Sequence, residues 1–170
     1  MKTTNIKIIQ LVNEIASTTC FTFGDRCTAV YVMGSLARGD FSESASDIDI
    51  GIVLKDPLLD SDLQFIEQIE TDALQKHHAV KNQVSIFWGS IDSLNGIHDF
   101  GRYPPFDRLD LIDHALLLAG EDVRAKLLKP SKQELMIAGA EFALDYLGSK
   151  ESIDEFFDYE SFVRKGPVHI

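Results

Sequence analysis

The sequence of 170 residues is poor in positive charge, in cysteine and in long hydrophobic runs. Its 16 Lys and Arg stand against 27 Asp and Glu, so the formal net charge is −11. An acidic chain without a basic stripe repels a phosphate backbone, which argues against specific binding of nucleic acid. Since no apolar run approaches the roughly 18 residues that a bilayer span needs, we expect no membrane association.

The only two cysteines, Cys20 and Cys27, do not form a metal-ligand pattern. Two thiols in a chain without a recognisable signal peptide are typical of a reducing compartment and predict a cytoplasmic location. Hydrophobic residues make up 45% of the chain, which is enough for a packed core. The length suits one domain with a small helical appendage.

A pair of aspartates marks the most informative stretch of the chain. Asp47-Ile48-Asp49 stands at the head of an apolar run that ends at about Leu54. Residues two apart in a strand point to the same face, so Asp47 and Asp49 are expected side by side, roughly 6–7 Å apart. Two like charges at this spacing favour a bound divalent cation. Mg²⁺ suits such a site, because it is usually held by one or two carboxylates, water and substrate phosphates.

A glycine-containing turn precedes the acids and follows another apolar run, residues 28–33. The turn reads Gly34-Ser35-Leu36-Ala37-Arg38-Gly39-Asp40. Glycine lets the backbone approach a ligand closely, and a short helix beginning here would offer free N–H groups to an anion. The guanidinium group of Arg38 matches phosphate oxygens. Gly34, Ser35 and Arg38 are therefore predicted to hold phosphates.

The two elements together resemble the DNA polymerase beta-like nucleotidyltransferase superfamily, whose signature is Gly-Ser, a gap of roughly ten residues, and acid–apolar–acid at the start of a strand. Here residues 36–46 form the gap. The fuller pattern, Gly-Ser-x-Ala-Arg-Gly followed by Ser-Asp-Ile-Asp, is similar to the bacterial minimal nucleotidyltransferases and the aminoglycoside adenylyltransferases. The resemblance covers about residues 28–120.

The resemblance implies a Mg²⁺-dependent transfer of a nucleoside monophosphate from an NTP to a hydroxyl of a small molecule or a protein. It implies Asp47 and Asp49 as catalytic metal ligands, and Gly34, Ser35 and Arg38 as nucleotide-binding residues. A toxin–antitoxin branch of the superfamily, in which a partner protein is modified, is one version of this hypothesis.

Relatives carry a third carboxylate on a third strand, and this sequence departs from that pattern. The predicted strand 82–88 alternates and places Gln83 and Ser85 on one face, neither of them acidic. Either residue could occupy the third-acid position, and an acid from the following segment, Asp92, Asp99 or Asp107, could replace it. The missing acid supports a second hypothesis, a non-catalytic Mg-nucleotide-binding or interaction domain.

The predicted fold class is α/β (α+β), a mixed sheet flanked by helices. Helices are expected over residues 3–17, from about 61 to 76, over 106–114 and from 131 to 148, with a loop over 91–100. Residues 115–119 fit a helix or a strand, and the resemblance favours a strand. We expect a nucleotidyltransferase domain over residues 1–120 and a helical extension packed on it over 121–170. Its acidic amphipathic tail, residues 151–160, is predicted to pack on the body or bind a partner.

Overall fold

The computed structural model describes residues 3–78 and 80–148, which build a mixed sheet of four strands with helices on both faces. The strands are β1 (Cys27–Val32), β2 (Ile48–Leu54), β3 (Val84–Ser90) and β4 (Leu116–Gly120), in the order β3-β2-β1-β4. β2 and β3 are parallel, and β1 is antiparallel to both β2 and β4. The predicted fold class is confirmed.

Six α-helices connect or flank the strands within the described ranges. They are α1 (Ile6–Phe23), α2 (Gly34–Arg38), α3 (Asp60–Lys76), α4 (Ile91–Leu94), α5 (Pro105–His114) and α6 (Lys132–Gly148). Short 3₁₀ turns lie at Gly24–Arg26 and Arg124–Lys126. No helix in the part of the chain that the structure describes is both long and apolar enough to cross a membrane.

The alternation of β2 separates a hydrophobic face from the face that carries the acids. Ile48, Ile50 and Ile52 are fully buried against α1 and α3, as the period of two predicts. The opposite face of the sheet carries Tyr31 and Phe87, which pack with Leu111 of α5. Asp49 shares this second face, so the fold places it beneath α5 rather than beneath α1.

The predicted end of α1 at residue 17 is wrong, because the helix continues to Phe23. The threonines there are poor helix formers, but the Thr19 hydroxyl donates to the Ile15 carbonyl at 2.7 Å and Phe23 is buried. Packing therefore outweighs intrinsic preference, and the helix ends where Gly24 takes a positive φ of 51°.

The segment after β3 also differs from the predicted loop, because it begins with the single turn of α4. The Ser93 N–H donates to the Ser90 hydroxyl at 3.1 Å and caps this turn. Residues 116–120 form a strand, which decides the open choice between helix and strand.

The last described helix, α6, begins with a capping box. The Glu134 N–H donates to the Ser131 hydroxyl at 3.2 Å, and the Ser131 N–H donates to the Glu134 carboxylate at 2.8 Å. Arg108 of α5 pairs with Glu134 at 2.6 Å, which holds the start of α6 on α5. The domain boundary at residue 120 stays a prediction, and the acidic tail at 151–160 lies outside the described residues.

Candidate functional site

The turn after β1, which begins at Gly34, lies against Asp49 of β2. Gly34 takes a positive φ of 62°, and a side-chain Cβ built on it would lie 2.0 Å from Oδ2 of Asp49. The Met33 N–H also donates to the Asp49 carbonyl at 2.9 Å. Glycine favours both this left-handed backbone and this close approach, so the Gly-Ser turn packs directly against the carboxylate.

The carboxylate of Asp49 lies among like charges. Asp49 is half-buried in β2, and Asp47 is exposed just before the strand begins. Burial, followed by the negative charges of Asp107, Asp47 and Asp110, raises the pKa of Asp49 to about 6, although Arg38 opposes the rise. The fold therefore holds negative charge here without enough positive charge to balance it.

Two of these neighbours come from α5, one helical turn apart. Asp107 is half-buried, and burial followed by the charge of Asp110 raises its pKa to about 6; its own backbone N–H and Arg102 oppose the rise. Asp110 accepts the Gly34 N–H at 2.7 Å and an Arg38 Nη1 hydrogen bond at 2.5 Å. The Asp110 carboxylate thus already accepts hydrogen bonds from the groups of the turn that are predicted to bind an anion.

These groups surround a cavity of about 520 Å³ between α2, the start of β2 and α5. Its polar lining consists of one guanidinium, one imidazole and four carboxylates: Arg38, His114, Asp49, Asp107, Asp110 and Asp113. The excess of carboxylates favours cations, or a phosphate compound that brings its own cation.

The structure brings together most of the residues predicted from the phosphate and acid motifs. Gly34, Arg38 and Asp49 line the cavity, and Asp47 is close enough to Asp49 to raise its pKa. Ser35 is the second residue of α2, and its carbonyl accepts the Gly39 N–H at 2.8 Å as that helix ends.

The two residues proposed for the third-acid position are separated by the strand register. Ser85 of β3 lies directly beside Asp49 of β2. Gln83 is exposed before β3 begins, and its carbonyl accepts the Ile48 N–H at 2.8 Å. The position beside the acid therefore belongs to Ser85, and it holds a hydroxyl rather than a carboxylate.

Sequence reasoning missed Asp110 and named Asp107 only as one of three acids beyond β3. A signal was present, because acids three residues apart in a helix share one face. It was too weak to use, because a helix sequence does not reveal which part of the sheet that helix covers.

A magnesium ion fits the donor set at the start of β2. Within residues 3–78 and 80–148, no three His, Cys, Asp or Glu side chains are close enough to hold a metal by themselves. Mg²⁺ does not need such a cage, since one or two carboxylates with water and phosphates suffice. Asp47 and Asp49 would supply that pair. Burial and then the neighbouring negative charges raise the pKa of Asp49, and a bound cation would offset those charges.

Residues 12–93 match the family model described as nucleotidyltransferase domain. This segment is therefore similar to a nucleotidyltransferase domain. The matched segment runs from within α1 into α4 and contains both the Gly34-Ser35 turn and the Asp47–Asp49 pair. It confirms the resemblance to the DNA polymerase beta-like superfamily. It ends before α5, so Asp107 and Asp110 lie outside it. No curated protein matches the chain.

Two solved structures align with most of the chain at low similarity. A crystal structure of a toxin–antitoxin with AMP-PNP is 15% identical, covers 92% of this chain and 100% of its own, and has a TM-score of 0.39. A crystal structure of a mutant MntA–HpeT toxin–antitoxin is 13% identical, covers 86% of this chain and 98% of its own, and has a TM-score of 0.40. At these scores the likeness carries no conclusion about function.

Proposed function

We propose that this protein transfers a nucleoside monophosphate from an NTP to a hydroxyl of a small molecule or a protein, with Mg²⁺ as cofactor. The observation that carries the proposal is the contact between the Gly34 turn and Asp49 in a segment similar to a nucleotidyltransferase domain. Anion-binding groups and an uncompensated carboxylate meet there at one cavity.

Each part of the site has a distinct role in this reaction. Asp47 and Asp49 hold the magnesium ion, which when bound neutralises phosphate charge and favours in-line displacement. The Gly34 turn, including Ser35, and the Arg38 guanidinium bind phosphate oxygens. Because Asp110 already bonds to Gly34 and Arg38, the phosphates must displace its carboxylate from them.

A non-catalytic nucleotide-binding domain is the second candidate. It is favoured by Ser85, which stands beside Asp49 where the resemblance implies a carboxylate. A binder would take up the Mg-nucleotide and release no pyrophosphate, so turnover separates the two candidates.

The test measures Mg²⁺-dependent pyrophosphate release and transfer of label from each of the four α-labelled NTPs. Pooled alcohols, aminoglycosides and cell proteins serve as acceptors. We expect turnover with at least one NTP, abolished by EDTA and lowered by roughly 10²–10³-fold in Asp47→Asn plus Asp49→Asn. Unchanged turnover in the double variant would reject the proposed site. Mg-nucleotide binding without turnover would establish the binder instead.

A further inference from the structure

β3 places Ser85 rather than an acid beside Asp49, whereas α5 brings carboxylates to the same cavity. We propose that Asp107 is the third acidic group of the site and takes the proton from the acceptor hydroxyl. This inference rests on the proposed nucleotidyl transfer and assigns one residue within it. It concerns a helix beyond the segment that matches the nucleotidyltransferase family.

The other acids after β3 are in the wrong place for this role. Asp92 is the second residue of α4, beyond the far end of β3. The length of that strand places it roughly 20 Å from Ser85. It lines a different cavity, together with Asp56 and His98. Asp99 is exposed and is not among the residues that line the cavity at Asp49.

Asp107, in contrast, lines the same cavity as Asp49. Its charge acts on Asp49 more strongly than the charge of Asp47 does. Asp110 lies one turn further along α5, but it already accepts the Gly34 N–H and the Arg38 guanidinium. Asp113 also lines the cavity but pairs with Lys129 at 2.5 Å, so Asp107 is the acid of α5 that we assign to this role.

The helix that carries Asp107 is fixed on several sides. Arg108 donates to the Leu94 carbonyl at 2.8 Å and pairs with Glu134 at 2.6 Å. Leu111 is fully buried in the core on this face of the sheet. The hydrogen bond from the Gly34 N–H to the Asp110 carboxylate then joins α5 to the turn after β1. A carboxylate on so constrained a helix is preorganised for the reacting groups.

The step balances as an in-line transfer. The acceptor oxygen forms a bond to the α-phosphorus, and the bond from that phosphorus to the β-phosphate oxygen breaks. The hydroxyl proton passes to a carboxylate oxygen of Asp107, and pyrophosphate leaves with the electron pair. The Asp107 proton is then lost to solvent, so no further reactant is needed.

The experiment compares wild type, Asp107→Asn and Asp107→Glu, with Asp99→Asn as the matched control. Two quantities are measured with MgATP and MgGTP: calorimetric affinity, and pyrophosphate release with glycerol as the hydroxyl probe. We expect Asp107→Asn to lower kcat by about 10²–10⁴-fold, the range that general-base catalysis supplies. Its nucleotide affinity should stay within about threefold of wild type, which also shows that it folds. Asp107→Glu should regain part of the rate, and Asp99→Asn should match wild type.

Release by Asp107→Asn within about threefold of wild type would overturn the assignment. So would a loss of nucleotide affinity as large as that of Asp49→Asn, since Asp107 would then be a ligand or a structural group. A wild type that binds MgATP or MgGTP but releases no pyrophosphate would also overturn it, because the site would lack a working base. A wild type that binds neither nucleotide and turns over none of the four NTPs contradicts the proposed function itself.

Discussion

Asp62 and Asp49 both have buried or half-buried side chains, but they differ in how their negative charge is balanced. Asp62, whose side chain is 1% exposed, accepts two hydrogen bonds from Arg26 at 2.8 and 2.7 Å and one from the Leu59 N–H at 2.8 Å. Burial favours a higher pKa, but these bonds hold the pKa of Asp62 below its usual value. At Asp49, burial and then the charges of neighbouring carboxylates raise the pKa to about 6.

Asp62 thus has a structural role, whereas we propose a functional role for Asp49. The Arg26–Asp62 pair joins the turn before β1 to the start of α3, and it needs no ligand to satisfy its charge. At Asp49 the fold accumulates like charges, which costs stability unless a cation arrives. We therefore interpret the Asp49 end of the sheet as built for a charged ligand.

The largest effect on stability is expected at Asp62, whose charge is balanced by Arg26. Asp62→Ala removes the partner of Arg26 and the acceptor of the Leu59 N–H, so we expect a loss of about 3 kcal/mol in the free energy of unfolding. Urea denaturation at pH 7 measures it. Asp60→Ala, on an exposed residue of the same first turn, is the control. Equal losses in both variants would show that the ion pair is not what stabilises this end.

The next prediction concerns Asp110, which accepts hydrogen bonds from the Gly34 N–H and from Arg38. Asp110→Asn weakens the competitor for the Gly34 N–H and Arg38, so affinity for MgATP or MgGTP should rise by about tenfold, or 1.4 kcal/mol. Asp113→Asn removes the same charge from the same cavity but breaks a pair with Lys129 instead, and should change affinity less. Weaker nucleotide binding by Asp110→Asn would make Asp110 a ligand rather than a competitor.

A third prediction concerns a variant that loses the carboxylate on α5 and gains one on β3. Adding Ser85→Asp to Asp107→Asn places a carboxylate beside Asp49, in the register that the sheet sets. Pyrophosphate release should recover by about tenfold, part of what a general base supplies. Gln83→Asp in the same background, at an exposed position before β3, should recover nothing. Recovery by Gln83→Asp alone would mean that the strand register does not decide the third-acid position.

The smallest expected effect is a gain in the free energy of unfolding when Asp49 is replaced. Below about pH 4 Asp49 is protonated in both the folded and the unfolded chain, and it then carries no penalty. Between about pH 4 and 6 only the folded chain keeps the proton, so stability falls as pH rises, and above about pH 6 the penalty is complete. Asp49→Asn should therefore stabilise the nucleotide-free protein by about 1 kcal/mol at pH 7, after allowance for solvent screening.

Thermal unfolding of wild type and Asp49→Asn at pH 5 and pH 7 checks this prediction. The variant's advantage should be smaller at pH 5 than at pH 7. An advantage that is the same at both values, or a loss at pH 7, would show that the charge at Asp49 is already compensated.

The strand side of the site was predictable because its determinants are local. Gly34 and Asp49 are 15 positions apart, and the alternation of β2 alone decides that Asp49 faces away from Ile48 and Ile50. The choice between Gln83 and Ser85 needed the register of β3, which side-chain alternation does not supply.

The helix side was not predictable in the same way. Asp107 and Asp110 reach the site because α5 packs its Leu111 on one particular face of the sheet, far along the chain from Gly34. That position depends on the whole core rather than on a nearby pattern. The end of α1 was missed for a related reason, since the burial of Phe23 extends the helix past weak helix formers.

Calorimetric titration of wild type and Asp49→Asn with ATP and GTP, in Mg²⁺ and in EDTA at pH 7.5, tests the central claim most directly. If the uncompensated charge at Asp49 exists to hold a metal-bound nucleotide, wild type binds one of them only with Mg²⁺. Asp49→Asn then loses at least about tenfold in affinity, or 1.4 kcal/mol. Equal binding in EDTA, or equal affinity in the variant, would contradict the claim.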